Sequence, residues 1–346
     1  MKYLKLGNTD LEVSTICLGT MTFGQQNTEL EGHHQMDYAV ERGINFFDTA
    51  EMYSVPSNPA TQGSTERIIG SWFKKTGKRK EIILGSKVTG PSPSFKYISD
   101  DLGFSKPRIM DALEGSFKRL QTDYLDLYQL HWPERKSNFF STLGYVQHEG
   151  DKWQDNFDEV IETLNNLIKD GKIRHWGLSN ETAWGTMRTC SVSDRLGFPR
   201  PVSIQNPYNL LNRSFEVGLA EVCIREKVSM LVYSPMAFGL LSGKFHKKMD
   251  KPQDRLNQFK QMSRYNNDLS FEATKSYLKI AEDAGLSLAQ MSLSFVNDRP
   301  FVTSNIIGST NMEQLKENID SIDLSLSSDI LNEIERVHKE ISNPAP

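Results

Sequence analysis

Short apolar runs rich in branched residues punctuate the chain. Each is followed by a polar turn and then by a longer stretch whose apolar residues recur at three and four positions. The runs are Ile16 to Leu18, Ile44 to Phe47, Ile82 to Leu84, Tyr124 to Leu130, Ile173 to Leu178, Val202 to Ile204, Met230 to Tyr233 and Thr303 to Ile307. A bounded run of this kind predicts a buried strand, and the spacing in Thr65 to Lys74, Arg108 to Leu120, Phe157 to Lys169 and Phe215 to Glu226 predicts amphipathic helices. Eight strand-then-helix units predict an α/β fold, a closed (β/α)8 barrel of the TIM type, with residues 1–346 as one domain. A doubly wound sheet with a dinucleotide site is the rival, but the G-x-G-x-x-G run it needs after its first strand is absent.

Two segments, 2–14 and 132–155, stand outside the repeat, and a further loop follows the third strand. Residues 2–14 predict a hairpin turning at Gly7-Asn8 that closes the barrel floor. A Pro- and Ser-rich loop occupies 89–105. Residues 132–155 carry Trp132, Phe139, Phe140, Tyr145 and Trp153 with little helical spacing. So many aromatics in so long a loop point to a lid over the barrel mouth, with an apolar cluster packed under a loop as the plainer alternative.

Composition narrows the partners. A hydrophobic content of 38% excludes a disordered chain. With 40 basic against 44 acidic residues, a net charge of -4 gives no drive towards nucleic acid or an anionic membrane. Cys17, Cys190 and Cys223 are scattered and odd in number, and neither H-E-x-x-H nor zinc-finger spacing occurs. No disulfide framework and no metal site are expected, and a reducing compartment fits. No apolar run is long enough for a signal or a membrane span, so the expected location is cytoplasmic. Nothing in the pattern indicates an oligomeric state.

Barrel enzymes place their chemistry at the C-terminal ends of the strands. The polar residues there are Asp48, Lys87, His131, Ser179-Asn180, Gln205-Asn206 and Ser234, with Tyr53 just beyond Asp48. Singly each has an ordinary explanation: a helix cap, a surface ion pair, a satisfied histidine, one tyrosine among 11. Together at three consecutive strand ends, Asp48, Tyr53, Lys87 and His131 make a proton-transfer set. A lysine beside a phenol favours the phenolate, so a lowered Tyr53 pKa is expected, with Asp48 holding Lys87 charged.

Asp48-Thr49-Ala50-Glu51-Met52-Tyr53, Gly85-Ser86-Lys87, Asp126 to Trp132, Gly177 to Asn180 and Ile204 to Tyr208 resemble, in order, the motifs of the aldo-keto reductases, over nearly the whole chain. The resemblance implies a (β/α) barrel and hydride transfer between NADP(H) and a small-molecule carbonyl or alcohol. It implies Tyr53 as general acid, Asp48 and Lys87 as its tuning pair, and His131 as the contact to substrate oxygen. It further implies that Ser179, Asn180 and Gln205 bind the nicotinamide carboxamide and that Tyr233 stacks on the ring, with Thr20 also in the cofactor set. Ser234, Pro235, Met236, Ala237, Phe238, Gly239, Leu240, Leu241, Ser242, Gly243 and Lys244 resemble the family's pyrophosphate loop. Gly239 to Lys244 is one residue short of a P-loop, and Phe245 replaces its Ser or Thr, which excludes a nucleotide triphosphatase.

Arg255 matches the position near the adenosine 2'-phosphate, where a guanidinium favours NADP over NAD. The resemblance also places Gly308, Thr310, Gln314, Glu317 and Asn318 around the adenosine, at a helix N-terminus suited to an anion. Lys247, Lys248, Lys251 and Lys260 read as a solvated loop, and Met21 replaces an aromatic found in some relatives. The expected activity is NADPH-dependent reduction of aldehydes or activated ketones. The alternatives are a redox-sensing regulatory subunit like the potassium channel β subunits, which carry Asn where this chain has His131, and a cofactor-free barrel isomerase or lyase.

Overall fold

The computed structural model describes residues 1–260 and 263–346. An antiparallel hairpin of Tyr3–Lys5 (β1) and Glu12–Ser14 (β2) precedes eight parallel strands: Ile16–Gly19 (β3), Phe46–Asp48 (β4), Ile83–Val88 (β5), Leu125–Leu130 (β6), Ile173–Ser179 (β7), Ser203–Pro207 (β8), Ser229–Tyr233 (β9) and Val302–Ile307 (β10). These close into a barrel because β10 pairs with β3, Ile306 opposite Cys17. The helices pack outside. Many begin on a side-chain cap that satisfies an otherwise orphaned N–H: Thr28 in a capping box with Glu31, Ser105 ahead of Pro107, Thr182, Asn267, Ser287, Asn311 and Ser327. Gly70 lets the helices Ser64–Thr76 and Lys106–Leu120 touch, since a Cβ there would strike the backbone of Arg119 and Leu120.

Two-residue periodicity sorts the strand side chains. Outward residues such as Leu18, Phe47, Leu84, Tyr128, Trp176, Ile204 and Met230 join the large core beneath the helices. Inward ones, Cys17, Phe46, Leu127, Leu231 and Ile306, meet Leu6, Leu11 and Val13 of the hairpin and form an apolar plug at the floor.

The hairpin turn is wider than two residues. Leu6 N–H reaches Leu11 O at 2.8 Å, and Thr9 Oγ1 donates to Leu6 O, which widens the connection to place both leucines under the barrel. The stretch expected as one helix from Phe215 to Glu226 is a 3-10 turn, Ser214–Val217, and a helix, Leu219–Glu226, broken at Gly218.

The two halves of the long loop pack differently. Phe139 and Phe140 pack at the mouth against one another, and Phe140 meets Trp132. Trp153 lies farther out against Phe157 and Trp184, and Tyr145 is exposed. In the 89–105 loop a short 3-10 turn, Pro93–Phe95, brings Phe95 onto Trp132.

Candidate active site

The inward positions that are apolar at the floor become polar one step higher. Asp48 follows Phe46 by two residues, Gln129 follows Leu127, and Tyr233 follows Leu231. Lys87 stands in register with Gln129, and Gln205 with Ser179. This brings together the four residues proposed for proton transfer. Lys87, fully buried, donates through Nζ to Asp48 Oδ2 at 2.7 Å and to Thr49 O at 2.7 Å, and lies 3.5 Å from Tyr53 Oη. The other carboxylate oxygen, Asp48 Oδ1, accepts from Gln205 Nε2 at 2.8 Å. The His131 ring meets Tyr53 edge-on, centroids 5.7 Å apart. Met21, Val55, Phe95, Ile98, Trp132 and Phe139 complete an apolar wall around Tyr53.

Electrostatics here depart from expectation at one point. Burial pushes the Tyr53 phenol above its ordinary value of 10, outweighing the opposing pull of Lys87. The expected lowering fails because desolvation penalises a phenolate more than one lysine, already committed to Asp48, repays. Burial also disfavours the Lys87 ammonium, but Asp48 and Tyr53 reverse that and hold it charged. Burial, then the Lys87 charge, hold His131 well below 6.5, so its ring is neutral at physiological pH, with Nδ1 buried and unpartnered among the described residues.

Ser179 and Asn180 end β7 buried beside this corner. Ser179 Oγ donates to Gln205 O; Asn180 Nδ2 donates to His131 O at 2.9 Å, and Asn180 Oδ1 accepts from Tyr233 Oη at 2.6 Å. Thr20 is enclosed, its hydroxyl spent on Asp48 O. In the segment after β9, Ser234, Ala237, Phe238, Gly239 and Gly243 have positive φ, a coiled backbone of the kind that turns successive amides towards an anion. Ala237, Leu240 and Leu241 bury their side chains in the core, leaving only their backbone to a ligand. Ser242 Oγ is turned to Gly239 O, Asn209 Nδ2 holds Ser234 O, and Pro235 and Met236 lead into the coil. Lys244 pairs with Asp254 at 2.6 Å.

At the far end Gly308 opens onto free space. Thr310 N–H donates to Gln314 Oε1, Asn318 Nδ2 donates to Gly308 O, and Glu317 accepts from Ser287. Arg255 folds inward rather than standing only at that end. Buried, it donates to Gln26 Oε1 at 2.9 Å, lies over Phe238, and touches Met21 Sδ, and its charge acts on the Tyr53 phenol. Among the described residues it has no carboxylate partner, and burial draws it down to about 10. A buried guanidinium of this kind, with the coiled backbone beside it, fits a phosphate-bearing cofactor. Lys247, Lys248, Lys251 and Lys260 are exposed. No cluster of metal-ligating side chains occurs among the described residues.

Two buried ion pairs that support the site were not anticipated. Glu51 Oε2 accepts from Arg108 Nη2 at 2.6 Å and from Thr89 N–H at 3.0 Å, tying the Asp48–Tyr53 segment to the end of β5. Arg135 grips Glu181, whose carbonyl accepts from Asn206 Nδ2, and so fixes the root of the long loop beside Asn180. Glu51 lies inside the segment already singled out. Its partner is 57 residues away, and no local spacing reveals it.

The closed barrel and the polar set at its mouth define a class, and comparison with known proteins agrees: the aldo/keto reductase family model matches residues 15–339. The chain belongs to the aldo/keto reductase family, a family of oxidoreductases. It is 49% identical to Escherichia coli protein Tas over the full length of both chains. It is 32% identical to Bacillus subtilis uncharacterized oxidoreductase YrpG, covering 96% of this chain and 94% of that one. A probable voltage-gated potassium channel subunit beta of Arabidopsis thaliana is 29% identical over 97% and 96% of the two chains. No helix among the described residues is long and apolar enough to cross a membrane.

Proposed function

We propose that the protein is an NADP(H)-dependent reductase of aldehydes or activated ketones in which Tyr53 is the general acid. The observation that carries this reading is the buried Asp48–Lys87–Tyr53 chain facing a neutral His131 at the barrel mouth. The nicotinamide cofactor supplies the hydride. Asn180 and Gln205 offer the donors and acceptors a carboxamide needs, Tyr233 a ring to lie against it, and Arg255 a charge for its phosphate. His131 orients the carbonyl oxygen without adding charge, and Tyr53 gives up its proton as that oxygen becomes negative. Lys87, held charged by Asp48 in the resting site, stabilises the phenolate left behind. The raised phenol keeps its proton at neutral pH and so favours reduction. The apolar wall keeps water from the reacting carbon.

A cytoplasmic, soluble setting and a single domain over 1–346 belong to the same proposal. The channel-subunit relative motivates a second reading, in which cofactor binding matters more than turnover. The two part on Tyr53→Phe, which keeps the ring and removes the proton. NADPH affinity should persist while aldehyde reduction falls roughly 100-fold or more. Unchanged turnover with cofactor saturating would remove Tyr53 from the mechanism.

A further inference from the structure

Arg264 stands at the mouth between the long loop and the residues that frame the proposed nicotinamide site. Its Nη1 is 3.4 Å from Tyr233 Oη, its Nε is 3.4 Å from Ser141 Oγ, and its guanidinium lies 5.9 Å from the Phe140 ring centre and 6.0 Å from that of Tyr265. Nearby Arg108 and Arg135 are each consumed by a carboxylate. Arg264 has no carboxylate within ion-pair distance among the described residues; its neighbours are the hydroxyls of Tyr233, Tyr265 and Ser141. A guanidinium stays charged at any physiological pH and presents a fork matched to a carboxylate.

The rest of the wall is apolar and largely aromatic: Met21, Val55, Phe95, Trp132, Phe139 and Phe140. From Arg264 the contacts run through Tyr233 Oη to Asn180 Oδ1, and from Asn180 Nδ2 to the carbonyl of His131. Arg264, without a carboxylate partner among the described residues, thus stands beside a largely apolar wall, on the side of Tyr233 and Asn180. Arg255, buried on the side of Gln26 and Phe238, is available to the cofactor, leaving Arg264 for the other ligand.

We infer that Arg264 is a specificity residue selecting carbonyl substrates that carry a carboxylate on a flat, apolar body. This rests on the reductase reading above. The test compares para-formylbenzoate with its neutral methyl ester in wild type, Arg264→Met and Arg264→Lys, with NADPH affinity measured alongside. Wild type should favour the carboxylate in kcat/KM by roughly tenfold or more, the scale of a charge-assisted contact. Arg264→Met should erase the preference by slowing only the acid, with the ester rate and NADPH affinity unchanged, and Arg264→Lys should restore part of it.

Equal use of acid and ester by wild type, or a preference that survives Arg264→Met, overturns the inference. So does an equal loss on both substrates with weakened NADPH binding, which would assign Arg264 to the cofactor. If neither aldehyde is reduced, the reductase reading fails separately. Calorimetry with para-(hydroxymethyl)benzoate and its methyl ester then decides: binding of the acid that depends on Arg264 supports the selection of carboxylates, and its absence refutes it.

Discussion

The two ends of the barrel use the same eight strands in opposite ways. At the floor, Cys17, Phe46, Leu127, Leu231 and Ile306 turn inward onto Leu6, Leu11 and Val13 in an apolar cluster that contains no ion pair. Two residues further along, the same inward direction carries Asp48, Gln129 and Tyr233, with Lys87 beside them and three buried ion pairs in and around the mouth. Burying charges costs more than burying leucines. Packing is the task of the floor; the mouth accepts the electrostatic cost because the proposed chemistry needs a tyrosine proton and a charged lysine out of water.

Substitutions at each end should therefore fail differently. Lys87→Met strands Asp48 with one amide donor for company. It should cost about 3–5 kcal/mol of stability, read by denaturant unfolding, and lower aldehyde turnover roughly 100-fold. Leu11→Ala at the floor should cost about 2–5 kcal/mol while activity per folded molecule stays at the wild-type level. A loss of kcat there would show that the ends are coupled. Arg255→Ala should narrow the preference for NADPH over NADH by roughly tenfold, measured by fluorescence titration. Because the Arg255 charge also reaches Tyr53, the same change should move the phenol further up, which a pH titration of the variant will register.

The floor and the strands were legible in the sequence because their physics is local: branched runs of strand length, helical spacing between them, and a turn signal at the start. The break at Gly218 was not, since apolar spacing continues across it. At the mouth the identities of Asp48, Tyr53, Lys87 and His131 and their place at strand ends could be read, but the state of Tyr53 could not. A sequence displays the lysine that lowers a phenol's pKa and conceals the burial that raises it. Glu51–Arg108 and Arg135–Glu181 stayed hidden for a related reason, their partners being far apart in the chain.

The central claim is that Tyr53, raised by burial and paired with a neutral His131, is the proton donor. Single-turnover NADPH oxidation with a saturating aromatic aldehyde, followed against pH in wild type and Tyr53→Phe, tests it most directly. Reduction needs the protonated phenol, so its rate is lost only as pH rises through a folded pKa that burial holds above the ordinary value of 10, while the imidazole, held well below 6.5, stays neutral and imposes no loss until pH falls well below that value. The account predicts a level wild-type rate between those limits and a rate roughly 100-fold lower in Tyr53→Phe throughout. A wild-type rate that falls through mildly alkaline pH, or a variant that keeps pace with it, would contradict it.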